Sequence, residues 1–421
     1  MHKLIVIMVS PHVAIFAHFC MYILSNKKVN CFPSLFSFKS GANACIPHKM
    51  KKKGRGYMEI QSHDLPQVYY LTVTDEGISY LDEHIKADVR IDAFLSIQQK
   101  DYPVQVSYRG AHTRELAKKS YTIYFPDDER FHGQREVHLN AEMLDPSLMR
   151  NVLSFTFFER LDVLVPATTY VVLCRNGICE GLYLQLESVD ESFLQKRHLP
   201  LGPIYYAVSG NANFSLLSPK SEEVKPSLDA GYRLKYGREE DMNGLRELIY
   251  VINTTPRADF EEIIARYLNV NKYVSWLVGA VCTQNFDGFI HNYALYRNSE
   301  TGLFEMIPWD YDATWGRDCN GKEMAYDFID IDGYNTLSAR LLDISTYKQL
   351  YKERMAETLH SWFTPDYMGP RVEYLHHLLR PYYQLDPYKK EKLSVFDAEP
   401  DYICRFIKDR NHFLKVQLGT F

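Results

Sequence analysis

The sequence predicts an α+β fold in two lobes, strand-rich over about residues 58–208 and mainly helical over 241–421, joined by a loop at 209–240. Three observations carry that expectation. Alternating apolar residues recur in the first half, as in Val104, Val106 and Tyr108 and again in Tyr121, Ile123 and Phe125, which is the period of half-buried strands. Helical spacing takes over later, as in Val274, Leu277, Val278 and Val281. The composition, 46% hydrophobic and 24% charged over 421 residues, suffices for a packed core and excludes a disordered or low-complexity chain. Eight Cys in that length are too few for a disulfide scaffold.

Residues 1–57 stand apart. They hold nine Lys and Arg and no Asp or Glu, which leaves 39 basic against 53 acidic residues, a balance of −14, on residues 58–421. Leu4 to Leu24 is mostly apolar and long enough to span a bilayer, with Lys3 before it and Lys27-Lys28 after it. Pro11, His12 and His18 interrupt that span, and Ala42-Asn43-Ala44 lies too far downstream to serve as a secretory cleavage site. A third reading is upstream DNA translated from a start codon set too early, because codons for Lys53-Gly54-Arg55-Gly56 can spell a bacterial ribosome-binding site just before Met58. We expect this false start, with a membrane contact only if residues 4–24 are real.

The elements follow in order. Strands dominate from Val68 to about Glu187, and Arg109 to Lys119 is a basic loop containing Gly110. A helix is expected from Asp145-Pro146, with Asp as N-cap and Pro at the first helical position, to about Leu161. A hairpin turns on Asn176-Gly177 and sets Cys174 opposite Cys179, read as paired free thiols. Ser188-Val189-Asp190-Glu191 reads as a capping box for a short helix ending near His198. Ser209 to Glu240 lacks a sustained period and reads as a long surface loop, a candidate lid or substrate-docking element. Two helices follow from Asp259, the second over about Lys272–Thr283, and the tail from about Leu337 is helical with starts at Ser345, Thr364-Pro365 and Glu399-Pro400.

The chemistry lies in Gln284 through Asn292, then Tyr293–Arg297, a turn over Asn298–Gly302, and Leu303–Pro308 leading into Trp309-Asp310-Tyr311-Asp312. An apolar helix delivers a loop holding Asp287 and Asn292, and a hairpin follows whose second strand ends at Asp310. Protein kinases use this order: a helix, a D-x-x-x-x-N catalytic loop, two short strands, then a metal-binding Asp. The carboxylate in the loop orients the substrate hydroxyl, while the Asn and the second Asp hold Mg²⁺ against the polyphosphate. Taken singly, Asp287 and Asn292 read as turn residues and Asp310 and Asp312 as solvated loop acids. The ordered set, flanked by Trp309 and Trp315, carries the functional reading. Asp310-Tyr311-Asp312-Ala313-Thr314 also fits the D-x-D-x-T pattern of haloacid-dehalogenase-type phosphatases, which needs the first strand of a parallel α/β sheet.

Several separated motifs agree in order with one family. Arg109-Gly110, Lys118-Lys119-Ser120-Tyr121, Leu148-Met149-Arg150-Asn151, Gly181-Leu182-Tyr183 with Glu187, Asp287 through His291-Asn292, and Ile307 through Asp312 to Trp315-Gly316 resemble the CotH family of spore coat proteins, over most of residues 60–420. The resemblance implies an atypical protein-kinase-like fold and an ATP-dependent kinase, using Mg²⁺ or Mn²⁺, that phosphorylates serines of other spore coat proteins rich in Ser, Lys and Arg. It implies a place in the spore coat, assembled from the mother-cell cytoplasm. Carried over, Asp287 is the catalytic-loop Asp and Asp310 the metal-binding Asp, with Asn292 and Asp312 as further metal candidates. Lys119, Glu187 and Arg109 are the candidates for the nucleotide, and Glu159 is an alternative to Glu187 as the acidic partner of Lys119. The chain departs from ordinary kinases in lacking a G-x-G-x-x-G loop, in Asn285-Phe286 before Asp287, and in reading Asp-Tyr-Asp at 310–312, so a non-catalytic coat scaffold stands as the alternative function. Nucleic acid is not expected, because residues 58–421 are acidic and carry no basic stripe.

Overall fold

In the computed structural model, which describes residues 64–421, the alternating segments close into a barrel. Its strands are β1 (Gln67–Thr72), β2 (Ile91–Ile97), β3 (Lys100–Arg109), β4 (Ser120–Tyr124), β5 (Glu136–Asn140), β6 (Thr168–Arg175) and β7 (Ile178–Glu187), in the order β1-β2-β3-β4-β5-β7-β6. Neighbours are antiparallel except β1 and β6, whose parallel pairing closes the ring. Leu95, Ile123, Val137, Leu139, Val171 and Leu173 fill the interior, fully buried. Strands β6 and β7 are covered on both faces, since Tyr170, Val172, Leu182, Leu184 and Leu186 pack into a second, larger core. That is why residues 182–186 read as nearly continuous apolar sequence. The Asn176-Gly177 turn has both residues at positive φ, 49° and 80°, as a type I′ hairpin requires. Cys174 pairs with Cys179 across it, both as free thiols.

A four-stranded antiparallel sheet, ordered β11-β10-β8-β9, follows the barrel: β8 (Ile204–Ala207), β9 (Tyr232–Tyr236), β10 (Tyr293–Arg297) and β11 (Phe304–Pro308). The helices are α1 (Asp75–Glu83), α2 (Arg150–Arg160), α3 (Glu191–Lys196), α4 (Met242–Thr254), α5 (Arg257–Ile264), α6 (Val270–Thr283), α7 (Thr336–Leu342), α8 (Ser345–Ser361), α9 (Pro365–Tyr383) and α10 (Leu393–Thr420). The architecture is therefore α+β, strand-rich first and helical later. Among the described residues no helix is long and apolar enough to cross a membrane. The expectations for residues 1–57 lie outside the described residues.

Several local expectations need correction. Helix α2 starts at Arg150, not Asp145, because Leu148 sits at φ 59° and cannot join a helix. Asp145 instead reaches forward to accept the Arg150 N–H at 3.0 Å and the Ser147 N–H at 2.8 Å. Helix α3 is capped by Asp190, which accepts from Ser192 and Phe193 N–H, while the Ser188 hydroxyl donates to Glu136. The loop at 209–240 is a built wall: it contains β9, buries Ala212 and Phe214 completely, and ties Lys225 Nζ to Asn213 Oδ1 at 2.7 Å and the Ser215 carbonyl at 2.6 Å. Pro400 does not start a helix but lies inside α10. The carboxylate of the preceding Glu399, buried there, takes Arg150 Nη2 at 2.7 Å and Arg317 Nε at 3.0 Å. The starts at Ser345 and at Thr364-Pro365 stand, with the Thr364 hydroxyl accepting from Tyr367 N–H.

Candidate active site

Helix α6 is largely apolar and buried continuously from Tyr273 to Thr283, so its C-terminus is a fixed point. Gln284 ends it in the left-handed region at φ 58° and throws the chain into a tight loop. There the buried Asn285 side chain accepts from Gly288 N–H at 2.9 Å, and the Asp287 carbonyl accepts from His291 N–H at 2.9 Å. Gly288 sits at a close approach, because a Cβ there would stand 3.0 Å from Asn285 Cγ and 3.1 Å from the Tyr311 hydroxyl. The two motif loops are therefore in contact.

The hairpin does the rest. Tyr293 on β10 pairs with Pro308 on β11, and the Trp309 N–H donates to the Asn292 carbonyl at 3.1 Å. Asn292 and Asp310, both at φ 59°, consequently leave the two strands side by side. Helix α2 clamps the loop that follows. Asn151 Oδ1 accepts from Tyr311 N–H at 2.6 Å, Arg150 Nε donates to the Thr314 carbonyl at 2.9 Å, and Trp315 Nε1 donates to Ser154 Oγ at 2.9 Å. Arg150 is itself fully buried between Asp145, at 2.6 Å, and Glu399.

These loops face the barrel across a cleft of about 650 Å³, whose lining includes Asp287, Asn292, Asp310, Asp312 and Arg109. Arg109, at the end of β3, donates to Asn140 Oδ1 at 2.7 Å and lies 5.6 Å from the Trp309 ring. Burial raises the Asp310 pKa, with Asp287 adding to the effect and Arg109 and His291 opposing it. Burial, then Asp310, Glu142 and Asp145, holds Asp312 well above the usual carboxylate range. Burial and the neighbouring Asp145 push Glu142 up to about 7, although Asn151 Nδ2 donates to both of its oxygens at 3.1 Å. Several carboxyls thus crowd one end of the cleft with too little positive charge to offset them.

Two of the sequence-predicted nucleotide residues lie elsewhere. Lys119 does not line the cleft; its Nζ donates to the Arg114 carbonyl at 2.6 Å. Glu187 is buried away from the lining, taking Arg197 Nη2 at 2.7 Å and Ala167 N–H at 2.9 Å. Glu159 is exposed at the end of α2. Conversely, Glu142, Arg233 and Lys235 line the cleft without a motif that marks them as site residues. The alternation Tyr232-Arg233-Leu234-Lys235-Tyr236 is the signal that marks the last two, because it puts both cations on one face of β9.

The oxygen chemistry fits a hard divalent cation. Two carboxylates, Asp310 and Asp312, with the side-chain amide oxygen of Asn292 form the kind of sparse set Mg²⁺ uses when phosphate oxygens complete its shell, and a cation would relieve the raised pKa values of the two acids. Among the described residues no three His, Cys, Asp or Glu side chains form a ready-made metal cluster. The D-x-D-x-T phosphatase reading loses its structural context, since β11 is the edge of an antiparallel sheet.

A family model described as CotH kinase protein matches residues 106–414. The chain is 48% identical over 352 residues, 84% of its length and 97% of the relative, to inner spore coat protein H of Bacillus subtilis (strain 168). It is 28% identical over 307 residues, 73% of its length and 88% of the relative, to the inner spore coat protein H-like protein of the same organism. A solved structure, the Helicobacter pylori proinflammatory kinase CtkA, aligns over 72% of this chain and 93% of its own at 10% identity, with a TM-score of 0.32.

Proposed function

The chain belongs to the CotH kinase protein family, and from that premise we propose that its cleft transfers the terminal phosphoryl group of ATP to serine hydroxyls of other spore coat proteins. The observation that carries this reading is the β10–β11 register, which delivers Asn292 and Asp310 together beside the Asp287 loop. The Asp287 carboxylate receives and orients the proton of the incoming hydroxyl. Asp310, Asp312 and Asn292 would hold Mg²⁺ or Mn²⁺. Bound there, the ion would supply positive charge to the polyphosphate oxygens during transfer. Arg109, facing Asp310 across the cleft, adds a fixed positive charge for the phosphate oxygens. Trp309, packed at 5.3 Å on Tyr206 and 5.4 Å on His138, forms part of the cleft wall on the barrel side.

A balance of −14 over residues 58–421 supports basic acceptors, whose positive charge it attracts. The relative's name places it in the inner spore coat, and the same place suits a chain whose acceptors are coat proteins. A thermal-shift titration tests the nucleotide site: ATP with Mg²⁺ should raise Tm, and Asp310→Asn should abolish the metal-dependent part. An equal metal-dependent rise in that variant would remove Asp310 from the site.

A further inference from the structure

The segment after the Asp310 loop combines two features. Residues 318–334 carry five acidic residues, Asp318, Glu323, Asp327, Asp330 and Asp332, against one basic residue, Lys322. The same segment exposes Tyr326, Phe328 and Tyr334 at 43%, 55% and 38%, and the last two adjoin Phe286, 40% exposed, the chain neighbour of Asp287. Phe286 packs at 5.5 Å against Phe328 and stacks at 4.8 Å on Tyr334, whose hydroxyl donates to the Phe286 carbonyl. The result is an exposed aromatic group rimmed by carboxylates at the edge of the catalytic loop.

This exposure is not the slackness of a free loop. Arg410, fully buried on α10, donates to the carbonyls of Tyr326 at 2.9 Å and Ile329 at 2.6 Å. Gln284 Nε2 donates to the Ala325 carbonyl at 2.8 Å, and Gln417 Oε1 accepts from Ile331 N–H at 2.8 Å. Ile329 and Ile331 are buried beneath, while Phe328, Asp330 and Asp332 face outward. A pinned backbone thus holds rings and carboxylates out to solvent, and contiguous apolar groups of this kind mark binding surfaces where scattered ones do not.

Resting on the kinase reading above, we propose that this platform docks a Lys- and Arg-rich segment of the acceptor polypeptide, next to the hydroxyl presented to Asp287. Rings take guanidinium and ammonium groups face-on, and flanking carboxylates supply the opposite charge. A neutral segment finds rings but no charge pairing, and an acidic one is repelled. A second copy of the chain is disfavoured by its own −14 balance over residues 58–421.

The test is fluorescence anisotropy with labelled peptides of equal length, one Lys/Arg-rich around a central Ser and one with Ser and Ala in place of the cations, on the full chain without nucleotide. The basic peptide should bind and the neutral one should not. Phe328→Ala, and separately the pair Asp327→Asn with Asp332→Asn, should each weaken binding about tenfold. In kinase assays KM for a basic protein acceptor should rise by a similar factor, with KM for ATP and kcat unchanged. Wild-type binding in both variants, or equal affinity for the two peptides, would overturn the proposal. So would a wild-type dimer in sedimentation that Phe328→Ala dissolves. Variant-sensitive peptide binding without any phosphoryl transfer would sink the kinase reading while leaving the docking surface in place.

Discussion

Replacing Glu142 by Gln isolates the cost of crowding carboxyls in the cleft. Glu142 is 6% exposed and its pKa is raised from 4.5 to about 7, chiefly by burial and then by Asp145. A raised acid contributes its full share to stability below pH 4.5, where both states are protonated, and loses it as the pH climbs through about 7. The difference between those two values corresponds to about 3 kcal/mol of folding free energy once Glu142 is ionised in both states. Glu142→Gln carries no such charge and keeps an oxygen to accept from Asn151. Its stability relative to wild type should therefore be near zero at the acid end and grow as the pH rises. The gain should level off above about pH 7, at up to about 3 kcal/mol. Urea unfolding of both proteins in EDTA across that range gives the curve directly. A difference that is flat with pH, or a variant less stable than wild type at the alkaline end, would show that Glu142 is not held protonated by its surroundings.

Asn151→Ala should strand the Tyr311 N–H and loosen the Asp310 loop, at a cost of about 1–3 kcal/mol in stability and a fall in kcat larger than any change in KM for ATP. Unaltered kcat alongside a lowered Tm would confine Asn151 to a structural role. Lys118→Met should cost about 3–5 kcal/mol in urea unfolding, because the fully buried Asp386 loses a partner at 2.7 Å, and adding Asp386→Asn should recover part of it. A loss no smaller in the double variant would contradict the pairing. Because residues 58–421 carry −14, turnover of a basic acceptor below saturation should fall as salt rises, and a flat response would remove long-range steering.

What was readable in the sequence was what local chemistry decides. Asn176-Gly177 announced its turn because few other pairs tolerate two positive φ values. The helix, loop and hairpin from α6 to Asp310 were readable because each piece is specified within a few residues of itself. Long-range pairings were not. Nothing near Glu399 reveals that it closes on Arg150, 249 positions away, or that the helix runs on through Pro400. Lys118 and Lys119 look alike in sequence, yet one is sealed against Asp386 and the other bonds a local carbonyl. Arg109, rather than either lysine, is the cation facing Asp310. Strand β9 escaped because five residues of alternation inside a polar segment give little signal until β8 supplies the partner edge.

Joint action of Asp287 and Asp310 is the core of the proposed phosphoryl transfer. It is tested most directly by incubating the full chain with γ-labelled ATP, Mg²⁺ or Mn²⁺ and a Ser-rich basic protein, beside Asp287→Ala and Asp310→Ala, each checked for a wild-type unfolding profile. Label should pass to the acceptor with wild type and fall by about 100-fold or more in both variants. Labelling that persists in both would contradict the site assignment, and absence of label with all three proteins would contradict the kinase itself.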